Sequence, residues 1–248
     1  MHNLLLQDVP AFENSNIIDP SLVDTNAAAA RPSTAVLSLS FAFNKTLSPL
    51  AHHSLFLSDD FKESWDVVEQ SKFEKGYNFN PEACNFYVHA PSRTDKSACP
   101  EGHDAITVLI PMPLSPSGVD SSFCCGDSSN SSDIEVIETT YIDSLRKQVL
   151  ERLQTVEGMP SEITSHIIYE QYRSASNWKR DFELYRGSAF GLVHSIDQLS
   201  FLRPRIQHPN IKNLYRVGAS CRPGNGVPLV MIGARLSAEK ILRDISSD

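Results

Sequence analysis

An α+β fold, with a mixed or antiparallel sheet and helices, is what the sequence predicts, and three observations carry that prediction. The runs "NFYVHAPS" and "AITVLIPMP" are strand-like and flank the turn-rich "RTDKSACPEGHD", which points to an antiparallel pair. Tyr141, Ile142, Leu145, Val149, Leu153 and Val156 recur at helical spacing across "YIDSLRKQVLERLQTV". Strands and helices do not alternate regularly, so a self-contained doubly wound parallel sheet is disfavoured.

Element by element, residues 1–32 read as an irregular amino-terminal segment, with Asp19-Pro20 and an alanine run at Ala27 to Ala30. "STAVLSLSFAFNK", from Ser33, is β-branched and aromatic with partial alternation and predicts a strand. "HHSLFLS", His52 to Ser58, predicts another. "DDFKESWDVVEQ" predicts a short helix whose first-turn acids suit the positive end of the dipole. A serine-rich loop spans residues 115–133. Beyond the amphipathic helix, "EITSHIIYEQYR" predicts a strand and "SNWKRDFELY" a helix capped by Ser176 or Asn177. "NLYRVGASCRPGNGVPLVMIGARLSAEKI" closes the chain as strand, glycine-rich turn and helix. Pro228 sits where the last helix would begin, and Gly233 within it predicts a backbone packed closely alongside.

Composition narrows function. The chain has 248 residues, is 41% hydrophobic and carries a formal charge of −8, which disfavours nucleic acid as a partner. Arg203, Arg205 and Lys212 form a small basic cluster that reads as an anion contact or, more simply, a solvated face. Five cysteines show no zinc spacing and suggest reduced thiols in a cytoplasmic setting. No signal-peptide pattern or membrane-length apolar run is visible, so any membrane contact is expected to be peripheral.

Candidate chemistry is sparse. Gly187-to-Gly191 and Gly224-to-Gly226 do not match the dinucleotide fingerprint G-x-G-x-x-G. Ser188 and Ser195 lack a G-x-S-x-G elbow. His52 and His53, adjacent on a predicted strand, should point to opposite faces, which argues against joint metal binding, and His89 reads as a satisfied sheet histidine. No metal site is expected. Asp95 and Glu101 are the candidate catalytic carboxylates; the competing reading makes Asp95 a turn cap and Glu101 solvated. Cys221 reads as a small buried thiol.

Four ordered blocks then carry a resemblance: "LAHHSLFLSDDFKESWD", "FYVHAPSRTDKSACPEGHDAITVLIPMP", "YRGSAFGLVHSIDQLSFLRP" and "NLYRVGASCRPGNGVPLVMIGARLSAEKI". They resemble the bacterial and fungal carotenoid desaturases, the phytoene dehydrogenase type of FAD-dependent oxidoreductase. Cys221-Arg222 departs from that family's Thr-His, and Arg216 replaces an apolar residue. The resemblance implies a substrate domain over residues 33–200. It makes residues 201–248 the returning strand–turn–helix of a Rossmann-like, amine-oxidase-type FAD domain, whose opening fingerprint this sequence lacks. It implies FAD as hydride acceptor, contacted by Gly218, Ala219, Gly224, Gly226, Val227 and Pro228. The implied partners are a polyene lipid, a peripheral membrane surface and a second copy of the chain. Two rival readings stay open: a non-catalytic remnant that binds polyenes or a full-length desaturase, and a flavin amine-oxidase-like enzyme of other lipid metabolism.

Overall fold

Alternation of apolar and small residues builds a five-stranded antiparallel sheet in the computed structural model, which describes residues 31–66, 80–115 and 129–247. The strands are β1 (Ala35–Phe43), β2 (His53–Phe56), β3 (Phe86–His89), β4 (Asp104–Met112) and β5 (Ile167–Arg173). Their spatial order is β2-β3-β4-β1-β5. Leu37 faces Ile110, Leu39 faces Val108 and Phe41 faces Ile106, and all six are buried. That inward face, with Phe86 and Val88 of β3, packs on Tyr141, Ile142, Leu145, Val149 and Leu153 of helix α2 (Ser129–Gln154). The helix-period residues of the sequence are thus the ones that close the core.

The chain divides into two compact units. The sheet unit is Ala35–Asp181 and also holds the short helix α1 (Phe61–Asp66). The described part of the tail unit comprises residues 31–34 and 182–247, and ends in helix α4 (Val227–Ser247). Residues 31–34 enter it by pairing: Ser33 N–H donates to Gly191 O at 2.7 Å and Val193 N–H to Arg31 O at 2.9 Å.

Several sequence expectations need correction. The helical region reaches back to Ser129, into the stretch read as a serine-rich loop, whose residues 116–128 lie outside the described residues along with 1–30. "EITSHIIYEQYR" opens as a 3₁₀ turn, Ile163–His166, because Glu162 takes a left-handed φ of 55°. Helix α3 (Ala175–Phe182) is capped by Ser174, not Ser176 or Asn177. Asn177 Oδ1 accepts Ser174 N–H at 2.9 Å and Ser174 Oγ accepts Asn177 N–H at 3.5 Å, a reciprocal cap, while Ser174 O accepts Trp178 N–H at 2.9 Å as the first bond of the helix. The strand expected at residues 213–218 shrinks to one bridge, Gln207 with Tyr215. Asn213 at φ 66° and Gly218 at φ 122° bend the backbone on either side of it.

Candidate functional site

In the tail unit the glycine-rich corner is held from beneath by Arg203. Its side chain is buried, and its guanidinium donates to Ala219 O at 2.7 Å and Leu192 O at 3.1 Å. Burial pulls its pKa down, yet an arginine remains cationic there. Arg222 Nε donates to Arg203 O at 3.0 Å, so the two arginines tie residues 203–204 to the loop. The basic cluster of the sequence is therefore not one surface: Arg203 is structural, whereas Arg205 and Lys212 line an open cavity of about 700 Å³ with Arg222, Lys240 and Arg243.

Gly224 has φ 140° and its hydrogen faces Arg203, where a Cβ would lie 3.5 Å from Nε. Gly218 and Gly226 also take positive φ, at 122° and 93°, but a Cβ on either would meet nothing within 4 Å. Room thus lies above the backbone at those two positions. Gly226 O accepts the Val230 N–H at 2.9 Å and starts the α4 ladder. The N–H groups of Val227 and Leu229 precede that ladder, at the positive end of the helix dipole. Gly233 behaves as expected: a Cβ there would lie 3.1 Å from Pro223 Cδ and 3.4 Å from Arg222 O. Cys221 is buried, burial raises its pKa, and its thiol donates to Gly218 O at 3.3 Å. It is an unreactive packing group.

In the sheet unit, the turn before β4 is organised by a carboxylate the sequence reading passed over. Asp104 is buried and accepts Arg93 Nη2 at 2.7 Å, Ser92 Oγ at 2.7 Å and Leu47 N–H at 3.0 Å. Arg93 also donates to Leu50 O at 2.7 Å and Leu47 O at 2.6 Å. Burial by itself would raise the Asp104 pKa; the hydrogen bonds from Arg93, Ser92 and Leu47 outweigh it and hold the carboxyl below its ordinary range. No periodicity signalled Asp104, since its role depends on a partner from another turn. Asp95 instead caps the 3₁₀ turn Lys96–Ala98, accepting Ser97 N–H at 2.9 Å and Ser97 Oγ at 2.7 Å. Those hydrogen bonds lower its pKa, the wrong direction for a base poised near neutrality. Glu101 is exposed.

The expectation that His52 and His53 point apart is corrected. His52 lies before β2, so strand alternation does not apply to it, and the two rings stack with centroids 4.2 Å apart.

The phytoene desaturase of Fusarium fujikuroi is 32% identical over 236 residues, which cover 94% of this chain and 40% of its own length. The ζ-carotene-forming phytoene desaturase of Myxococcus xanthus is 33% identical over 193 residues, 78% of this chain and 32% of its own. The chain is thus similar to phytoene desaturases over most of its own length. It spans about 40% of the length of the Fusarium relative. No family model matches it. An oxidoreductase from Methanosarcina mazei superposes with a TM-score of 0.41 at 13% identity over 87% of this chain and 36% of its own, too distant to carry inference. The four blocks that suggested the resemblance fall in both units, the first two in the sheet unit and the last two in the tail unit. No helix among the described residues is long and apolar enough to cross a membrane.

Proposed function

We propose that this chain serves as part of a phytoene desaturase-like oxidoreductase that introduces C=C bonds into a polyene, with FAD as the hydride acceptor. The observation that carries the reading is the 32% identity extending over 94% of the chain to a protein named phytoene desaturase. FAD, when bound, supplies the acceptor for the hydride removed from the saturated carbon pair. The tail-unit corner fits such a group. Gly218 and Gly226 leave open room above the backbone, and the Ser220 hydroxyl is buried without a hydrogen-bond partner among the described residues.

Gly218, Ala219, Gly224, Gly226, Val227 and Pro228 are the residues proposed to hold the flavin. In this reading the Val227 and Leu229 N–H groups would stabilise the negative charge that the flavin gains on reduction, and a fixed dipole there needs no reorganisation. Arg203 holds the Ala219 carbonyl so that its peptide keeps one orientation. Exposed Val227, Leu229, Met231 and Ile232 spread apolar surface around the start of α4, suited to a lipid substrate or a membrane surface. Asp95 and Glu101 are not carried forward as proton acceptors: one is occupied as a cap and the other is solvated.

A chimera tests the proposal. Residues 31–248 replace the matching part of the Fusarium phytoene desaturase, and the product is expressed in phytoene-accumulating bacteria. Coloured desaturated carotenoids are the expected result. A folded, flavin-loaded chimera that leaves phytoene unchanged overturns it.

A further inference from the structure

We propose that His52, His53 and His89 form a binding site for a divalent transition metal of the zinc class on the β2–β3 side of the sheet. The backbone brings them together. His53 and His89 are direct partners in the antiparallel pair β2–β3, which sets their side chains on one face with Cβ atoms about 4.5–5.5 Å apart. His52 precedes the strand, and its carbonyl accepts the Ala90 N–H at 2.9 Å, which pins it beside the residue after His89. The three rings lie nearly parallel, with centroids 4.2 Å apart for His52–His53, 4.9 Å for His52–His89 and 5.5 Å for His53–His89.

One nitrogen from each ring lies within 4.8 Å of the other two, and His52 Nε2 and His89 Nε2 are 2.8 Å apart. Two nitrogens bound to one zinc at about 2.0–2.1 Å in a tetrahedron are separated by about 3.3 Å. The His52–His89 pair therefore needs to open by only about half an ångström to reach that spacing. His53, the exposed member of the three, has further to travel.

Two of the three remaining ring nitrogens, those of His52 and His53, have the kind of partner that metal-bound imidazoles need. His52 Nδ1 lies 3.0 Å from Thr94 Oγ1, whose own hydroxyl donates to Pro91 O at 3.3 Å. Thr94 Oγ1 is thereby left to accept from Nδ1–H, which frees the Nε2 lone pair. His53 Nδ1 lies 2.5 Å from Tyr87 Oη, so its Nε2 is likewise the nitrogen left for a metal. Such outer contacts fix the tautomer and orient the ring. Three neutral imidazoles without a carboxylate or thiolate favour Zn²⁺, with Cu²⁺ and Ni²⁺ as competitors, and leave a fourth position for water. Binding ties edge strand β2 to β3 and to the turn that carries Thr94.

Titration of the tag-free full chain with ZnCl₂, followed by calorimetry, tests this. One Zn²⁺ per chain is expected, with affinity at least about tenfold weaker in His52→Ala and in His89→Ala. Thr94→Val removes no ligand and should weaken binding about 10- to 100-fold. His103→Ala and His194→Ala should leave it unchanged. On the unaltered protein, imidazole ¹⁵N signals provide a readout that needs no variant: Zn²⁺ should move those of His52, His53 and His89 alone. Absence of saturable binding, or shifts confined to other histidines, overturns the site and leaves His52 and His89 as a pair that shares a proton.

Discussion

The sheet unit and the tail unit are stabilised in different ways. In the former, apolar side chains of β1, β3 and β4 meet one face of α2, and the polar network around Asp104 closes a single turn. Among its described residues the tail unit has few buried apolar side chains, Leu192 and Cys221 among them, and the largest fully buried side chain there is Arg203, bonded to backbone carbonyls. Burial is non-directional and tolerates approximate shapes. A brace of hydrogen bonds fixes one backbone path but fails when a single donor is lost. The contrast suits a scaffold in one unit and a positioned loop in the other.

The largest break in that comparison is expected from Asp104→Ala. It takes the carboxylate from the Arg93 guanidinium, which keeps the Leu47 and Leu50 carbonyls, and takes the acceptor from Ser92 Oγ and Leu47 N–H; losing one member of a buried pair costs about 3–5 kcal/mol. Urea unfolding followed by hydrogen exchange should show the loss across β1 and β4. Leu145→Ala should cost about 2–5 kcal/mol in the same unit by opening a cavity in the core. Arg203→Leu leaves the Ala219 and Leu192 carbonyls unpaired and should cost about 1–3 kcal/mol, with exchange accelerating at residues 218–226 while β1 and β4 stay protected. Acceleration in both units alike would show that the two modes of stabilisation are not separate. The smallest effect, within about 0.5 kcal/mol, is expected for Asp95→Ala at its exposed cap.

Acid sharpens the same contrast. The Asp104 carboxyl titrates lower folded than unfolded, so its contribution is complete above the ordinary aspartate pKa of about 4 and disappears as pH falls through the lower folded value. Stability of the sheet unit should decline over that window. In Asp104→Asn, which starts lower at neutral pH, the decline should be shallower.

The two units also differed in how much of each could be read beforehand. The strands of the sheet unit and the packed stretch of α2 were legible because periodicities of two and 3.6 residues report burial directly. Gly233 and Pro228 were legible because their roles follow from backbone chemistry alone. Asp104, Arg203 and the approach of His52 to His89 were not, since each depends on a partner 11 or more positions away and no periodicity marks it. The expected strand before Gly218 shrank for a related reason: the stretch pairs only at the Gln207–Tyr215 bridge because Asn213 and Gly218 turn the chain at its two ends.

Flavin retention in the Fusarium chimera tests the central claim most directly, with Gly226→Val compared to Gly102→Val. Gly102 also has positive φ, 77°, with nothing within 4 Å of a built Cβ, so both variants carry similar backbone strain and only one intrudes on the proposed cofactor corner. FAD affinity should fall at least about tenfold in Gly226→Val and stay unchanged in Gly102→Val. Equal retention in the two folded variants would contradict a flavin at residues 218–228.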